Sequence, residues 1–247
     1  MKTIFSLFFL TTTFFYSHSQ NYQGIITYKA ISNSDNYILN LSNDSTKTEK
    51  IRKDLIKLFS SGKPVNFHLY IKGNEALFRP VVSHENMIST NSGMNVTGVL
   101  AGEHSLFYAN LKTKERIFQY QRTSNILVNL SEIDWELTNE KKEIGDFVCY
   151  KAQGSFSSER FGFKILKPFI AWYASEISVP FGIAGFDGLP GLMLELIIEY
   201  EYGELKYSAT QINFEPLEDV HIEKPVGRQT MSEKEYGHYV NKKRSSF

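Results

Sequence analysis

The chain has 247 residues, 42% of them hydrophobic, and its 27 Lys and Arg balance 27 Asp and Glu. That apolar fraction excludes a disordered tail, and the lack of a basic excess argues against nucleic acid as a partner. A single cysteine, Cys149, excludes an intramolecular disulfide, and one domain is the default at this length.

The first 19 residues carry Lys2, the apolar run Ile4 to Leu10, a threonine patch, Phe14-Phe15-Tyr16, and the small residues Ser17 and Ser19. This is the charged, apolar and small-residue order of a secretory signal, and it is shorter than the roughly 20 residues a membrane span needs. Cleavage is expected after Ser19, leaving a single β-rich domain over 20–247 with a polar C-terminal extension from about position 215. Gln20 stands where a lipoprotein would need Cys, so no lipid anchor is expected. No second apolar run is long enough to cross a bilayer, so the sequence predicts an exported protein, periplasmic or otherwise associated with the cell envelope.

Tyr22 to Ala30 mixes β-branched and aromatic residues with alternating polarity, a strand signal. Thr46-Lys47-Thr48-Glu49 has capping-box spacing, and Ile51, Leu55, Leu58 and Phe59 fall on one helical face behind it, before Gly62 and Pro64 end the helix. Val65 to Lys72 and Glu75 to Arg79 read as a hairpin turned at Gly73-Asn74. Residues 83–102 hold Ser, Asn, Thr and glycines with few apolar side chains and are expected to form the longest loop.

Further strands are predicted at Ser105–Leu111, Arg116–Gln121, Ile126–Leu130, Trp135–Thr138, Phe147–Gly154, Phe161–Leu166, Phe169–Ser175, Leu192–Tyr200 and Glu204–Phe214. A second capping box at Thr230-Met231-Ser232-Glu233 predicts a short C-terminal helix. The fold class is therefore mainly β with one early and one late helix, built on a single strongly curved antiparallel sheet, half-barrel or barrel-like.

Between Phe169 and Ile198 stand Ala171-Trp172-Tyr173, Glu176-Ile177, Pro180 and then Gly188-Leu189-Pro190-Gly191-Leu192-Met193. Together with Ile144-Gly145 leading to Cys149-Tyr150-Lys151-Ala152, this stretch resembles the GLPGLI family, exported bacterial proteins named after a Gly-Leu-Pro-Gly-Leu-Ile motif. Met193 replaces the final Ile, an apolar swap of similar size. The resemblance covers the signal, the length and most of the remaining chain. It implies export in bacteria with two membranes, and it implies no activity. The strand order around an early helix also resembles the curved half-barrel of periplasmic lipoprotein carriers, an analogy of fold only.

Physically, Leu189-Pro190-Gly191-Leu192 suits a type II turn, with Pro190 fixing φ at the second position and Gly191 supplying positive φ at the third. The turn would feed a strand in which Met193, Glu195, Ile197 and Glu199 share one face. A rigid strand start explains these residues without a ligand. The functional alternative is that the Gly-rich stretch 182–191 brings its amides against a partner.

No catalytic constellation stands out. His68, His84, His104, His221 and His238 have no ligand spacing and Cys149 is alone, so neither metal nor cofactor is implied. Glu195, if partly buried, could have a raised pKa suited to proton transfer, and Glu176 and Asp187 flank the same turn region. Trp172 and Tyr173 point to opposite faces of their strand and could meet a partner or an apolar ligand. The candidate partner- or ligand-binding set is thus Trp172, Tyr173, Glu176, Asp187, Gly188, Leu189, Pro190, Gly191 and Glu195. It fits a non-catalytic binding or accessory module for an outer-membrane assembly; the alternatives are a carrier of a lipid or other apolar ligand, and a carboxylate-dependent hydrolase.

Overall fold

A computed structural model describes residues 22–81, 94–121, 125–155, 168–214 and 221–244. The expected export signal, the strand expected at Phe161–Leu166 and most of the loop expected at 83–102 lie outside these residues.

In chain order the elements are β1 (Gln23–Asn33), α1 (Asp35–Asn43), α2 (Glu49–Phe59), β2 (Val65–Lys72), β3 (Glu75–Pro80), α3 (Val96–Ala101), β4 (Ser105–Asn110), β5 (Glu115–Tyr120) and β6 (Ile126–Asn129). They continue with β7 (Trp135–Ile144), β8 (Phe147–Gly154), β9 (Phe169–Ala174), β10 (Leu192–Tyr200), β11 (Gly203–Asn213), β12 (Gln229–Ser232) and α4 (Glu233–Arg244). The chain is mainly β, and the twelve strands of the described residues all join one sheet in the order β12-β6-β5-β4-β3-β2-β1-β11-β10-β9-β8-β7.

The chain's own connections force this sheet to curl. β6 and β7 lie ten strand intervals apart, about 48 Å across a flat sheet at the usual strand spacing. Only Leu130 to Asp134 join them, and a chain that short reaches at most about 21 Å. The two limbs of the sheet must therefore bend toward each other, giving a barrel-like shell that hydrogen bonds do not close. The inner face shows the same bend: Phe78 on β3 and Tyr207 on β11 are three intervals apart, yet their ring centroids lie 6.1 Å from each other.

That concave face holds the core. Tyr28, Phe67, Phe78 and Tyr207 are fully or almost fully buried, and Phe107 and Phe118 continue the aromatic surface toward β5. Phe67 stacks on Phe78 at 5.0 Å, and Tyr236 of α4 packs edge-on against Phe118 at 5.6 Å. Such ring pairs each contribute about 0.5–1.5 kcal/mol beyond the area they bury. The two innermost hydroxyls are satisfied, Tyr28 donating to the carbonyl of Met193 and Tyr207 to that of Ala101. Burial raises the pKa of both phenols.

Several expectations are corrected. The sheet is not wholly antiparallel, because β12, unanticipated, pairs with β6 in parallel. A four-residue polar strand carries too little periodicity to be seen. The early helix is a pair, α1 and α2, lying between β1 and β2. Both caps sit two residues later than read: Thr48 caps α2 by accepting from the amide of Ile51, with no acid at that position to complete a box, and Ser232 exchanges bonds with Glu235 in a full capping box at the start of α4. Residues 96–101, read as loop, form α3, whose Val96, Thr97, Gly98, Leu100 and Ala101 are buried. Small residues made that stretch look polar; here they allow a short helix to press against the sheet.

Candidate functional site

Residues 175–191 connect β9 to β10, and Phe181 to Phe186 within them are all buried. Several of their backbone groups are met inside the protein. Ile183 and Phe186 bridge across Ala184 and Gly185, both at positive φ, with Phe186 N donating to Ile183 O at 2.8 Å, the backbone pattern of a type I′ turn. Asp187 Oδ1 accepts from Gly182 N at 2.7 Å, and Gly188 N donates to Pro180 O at 2.9 Å. Phe186 packs edge-on against Phe169 at 4.8 Å.

This plug ties the two limbs of the sheet together. On one side Arg116 of β5 places Nε 3.3 Å from Asp187 Oδ2, donates through Nη2 to Gly185 O at 2.9 Å, and donates through Nη1 to Ser131 O at 2.6 Å. On the other, Trp135 of β7 donates through Nε1 to Asp187 O at 2.9 Å. β5 and β7 are nine intervals apart along the sheet, and Asp187 touches both.

Within the motif, the glycine roles are redistributed. Gly191 is not at positive φ, so the expected type II turn does not form; Gly188, at φ +99°, is the position that requires glycine conformationally. Gly191 is instead a site of close approach, since a Cβ there would lie 2.3 Å from the carbonyl oxygen of Ala174. Leu189 is buried, whereas Pro190 is exposed. The motif thus packs the start of β10 against the end of β9, and its amides serve the fold.

Glu195 lies elsewhere, on the side of the sheet away from the aromatic core. It pairs in register with Ser208 and Trp172, and Trp172 with Lys151, while the next row, Ala152, Ala171, Leu196 and Tyr207, faces inward. A bulge between Met193 and Glu195 breaks the alternation read from sequence and puts these two on opposite faces, Met193 opposite Tyr173 and Glu195 opposite Trp172. Both carboxylate oxygens of the buried Glu195 are engaged, one by Lys142 and the other by Lys206 at 2.6 Å. Burial works to raise its pKa, but the hydrogen bonds from Lys142 and Lys206 outweigh it and hold the carboxyl below its ordinary range. The raised pKa expected of a proton-transfer acid is thereby reversed.

Lys142 also lies over the Trp172 ring, 4.4 Å from its centroid, so the half-buried indole is part of this ionic cluster. Tyr173 is buried and meets Tyr150 at 6.1 Å. Glu176 is exposed on the turn after β9. The structure therefore divides the nine candidates between the plug, the outer ionic cluster, an inward tyrosine and an exposed turn. Arg116, Trp135, Lys142 and Lys206, which organise these places, were not singled out: each is an ordinary strand residue, and the partners of the first three are 52 or more positions away. Lys206 is the exception in reach, eleven positions from Glu195 across the β10–β11 hairpin, and a hairpin register could have found it.

Other side chains bear on the sequence reading. His68 is half-buried, with Nδ1 3.0 Å from the Tyr70 hydroxyl, and burial with the nearby Arg79 lowers its pKa. Cys149 is fully buried, and burial pushes its thiol up to about 11. In the sequon Asn95-Val96-Thr97, Asn95 is bonded on both sides of its amide to the Lys63 backbone and Thr97 is buried against Ser32, so neither is offered to a glycosyl carrier. No group of three or more metal-ligating side chains occurs among the described residues.

The chain matches no protein-family model and no curated protein. Among solved structures it is similar to PNGF-II in its P21 crystal form, at 14% identity and a TM-score of 0.48, over 90% of this chain and 34% of that one. It spans only about a third of that protein's length. It is also similar to LprF from Mycobacterium bovis, at 10% identity, TM-score 0.32, 83% of this chain and 90% of that one. A further likeness is to the Mycobacterium tuberculosis lipoprotein LppX, at 9% identity, TM-score 0.29, 82% of this chain and 91% of that one.

Proposed function

We propose that this chain is an exported, non-catalytic binding protein of the GLPGLI type, and that its ligand is apolar and lodges against the concave aromatic face. The observation that carries the reading is the continuous inner surface of Tyr28, Phe67, Phe78, Phe107, Phe118 and Tyr207. Over it lie the six-residue helix α3 and, through Tyr236, the terminal helix α4. Neither belongs to the sheet, so both can yield without breaking its ladder. The polar candidates support the same reading from the other side, because Glu195 and Asp187 already serve structural cations.

The test is extraction with organic solvent of protein purified from its exporting host, followed by mass spectrometry, together with titration by N-phenyl-1-naphthylamine. A stoichiometric apolar extract, or saturable dye fluorescence that the extract displaces, is expected. Protein that yields no extract and leaves the dye dark would overturn the proposal.

The accessory reading, a partner in an outer-membrane assembly, draws on a different observation. The outer edge of β7 has no strand partner among the described residues, and Leu137 and Val148 stand exposed on β7 and β8 beside it. Cross-linking in the native envelope from a reporter on β7 should capture one stoichiometric protein if this reading holds.

A further inference from the structure

We infer that the rim built by α1, α2 and α3 is a docking face for an anionic lipid bilayer. This stands apart from the ligand proposed above and holds whether or not the concave face is occupied.

The rim is one place in the fold. Tyr37 of α1 and Phe59 of α2 pack with Tyr202 in the β10–β11 turn, at 4.7 Å from each other and 5.2 and 5.3 Å from it. Ser61, just past α2, donates to Met94 O at 2.8 Å, and Thr97 of α3 bonds the Ser32 hydroxyl at 2.6 Å near the end of β1. Helices and strand ends are thus joined by direct contacts.

Two features single the rim out. First, it is apolar where it should be covered. Leu58 and Phe59 of α2 pack against the core, but no residue of the helix is fully buried and Ile51, on the same face, is 48% exposed. An eleven-residue helix has little stability of its own, so most helices of that length rely on burying such a face. Of the nine large apolar side chains that stand exposed among the described residues, four lie in or next to these helices: Leu39, Ile51, Met94 and Val99. Leu39 is 61% exposed and Met94 59%.

Second, the rim is positive in a neutral chain. Residues 35–63 and 94–101, which build the rim, hold six cations, Lys47, Lys50, Arg52, Lys53, Lys57 and Lys63, against four acids, Asp35, Asp44, Glu49 and Asp54, whereas the rest of the chain holds 21 against 23. Asp44 takes Lys47 and Glu49 takes Lys53, whereas Lys50, Lys57 and Lys63 make no ion pair with any described residue.

Exposed aliphatic side chains beside lysines are the pattern of an interfacial surface: the apolar tips enter the boundary of the acyl chains while ammonium groups stay among anionic headgroups. A second copy of this chain is a poor occupant, because a symmetric contact would bring these lysines face to face. No helix of the described residues is long and apolar enough to cross a membrane, so the rim would lie on the bilayer.

The experiment is co-sedimentation of the exported protein with vesicles of phosphatidylcholine, with and without phosphatidylglycerol. Binding is expected only to the anionic vesicles and should weaken as salt rises. The double variant Lys50→Gln/Lys57→Gln should bind about 25-fold more weakly, since each lysine near an anionic surface contributes about fivefold. Leu39→Ser/Ile51→Ser should also lose affinity. Lys224→Gln, which removes the partner of Glu115 elsewhere on the sheet, should not. All four altered side chains of the rim are solvent-facing, and unchanged circular dichroism and Tm confirm that folding is intact. Equal binding to both vesicle types, no binding to either, full affinity in the lysine variant, or dimerisation through this rim would each overturn the inference.

Discussion

Arg116→Met removes the guanidinium that joins β5 to the plug while keeping most of the aliphatic stem. The Arg116 and Asp187 side chains are only 13% and 14% exposed, so the pair is largely withdrawn from water. The substitution strands the Asp187 carboxylate without its cation and leaves the carbonyls of Ser131 and Gly185 without their donor. Breaking one side of a buried pair costs about 3–5 kcal/mol; allowing for the residual exposure, the expected loss is about 2–4 kcal/mol. For a chain of this size that is a fall in Tm of about 5–15 °C. The assay is urea unfolding followed by tryptophan fluorescence, to which Trp135 contributes from within the same contact. Asp187→Asn should cost less, about 1–2 kcal/mol, because a side-chain oxygen can still accept from Gly182 N. The double variant should show a coupling of about 1–3 kcal/mol. A loss below about 1 kcal/mol for Arg116→Met, or simple additivity in the double variant, would refute the claim that this contact holds the two limbs together.

Glu195→Gln should destabilise the protein at neutral pH and much less in acid. The folded pKa of Glu195 lies below its unfolded value of 4.5, so its contribution is complete above that pH and disappears as the pH falls through the folded pKa. Unfolding of both proteins at neutral pH and at about pH 3 checks this, and a gap that fails to narrow in acid counts against it. Gly191→Ala should cost more than Gly188→Ala: the first drives a Cβ to 2.3 Å from a backbone oxygen, while the second meets its nearest neighbour only at 3.9 Å and costs about 1–3 kcal/mol through φ alone. Thermal melts of the two variants rank them. Thr48→Ala should lose about 1 kcal/mol by removing the cap of α2, seen as faster amide exchange in its first turn. The Cys149 thiol should resist a disulfide reagent at neutral pH in the native protein and react on unfolding, because it is both buried and held protonated.

Period-two alternation named most of the strands, three of them to the residue: Val65–Lys72, Phe147–Gly154 and Leu192–Tyr200. It succeeds because alternation is a local property that burying one face of a sheet imposes on the chain. Curvature was legible as a class, since many strands in a chain this long must bend or split to cover their edges. β12 and α3 were not legible, one too short and polar to carry a period and the other assembled from small residues whose burial depends on the sheet beneath them.

The candidate site was legible in composition but not in assignment. Gly191 was read as the positive-φ glycine of a turn, but that conformation falls at Gly188, and Gly191 is needed for its close approach to Ala174, which is invisible until β9 and β10 are paired. Asp187 could be noticed, but its partner Arg116 is 71 residues away and no local pattern marks it. Glu195 could be suspected of burial, but the sign of its pKa shift depends on two lysines that pairing across the sheet delivers. By itself the sequence determined strands β1 to β11, the helices α2 and α4 and the neutrality of the whole, all properties of neighbouring residues. The tertiary structure alone decided which charges meet, which glycine is crowded and which helix face stays uncovered, because each of these depends on groups that the curled sheet brings together from distant parts of the chain.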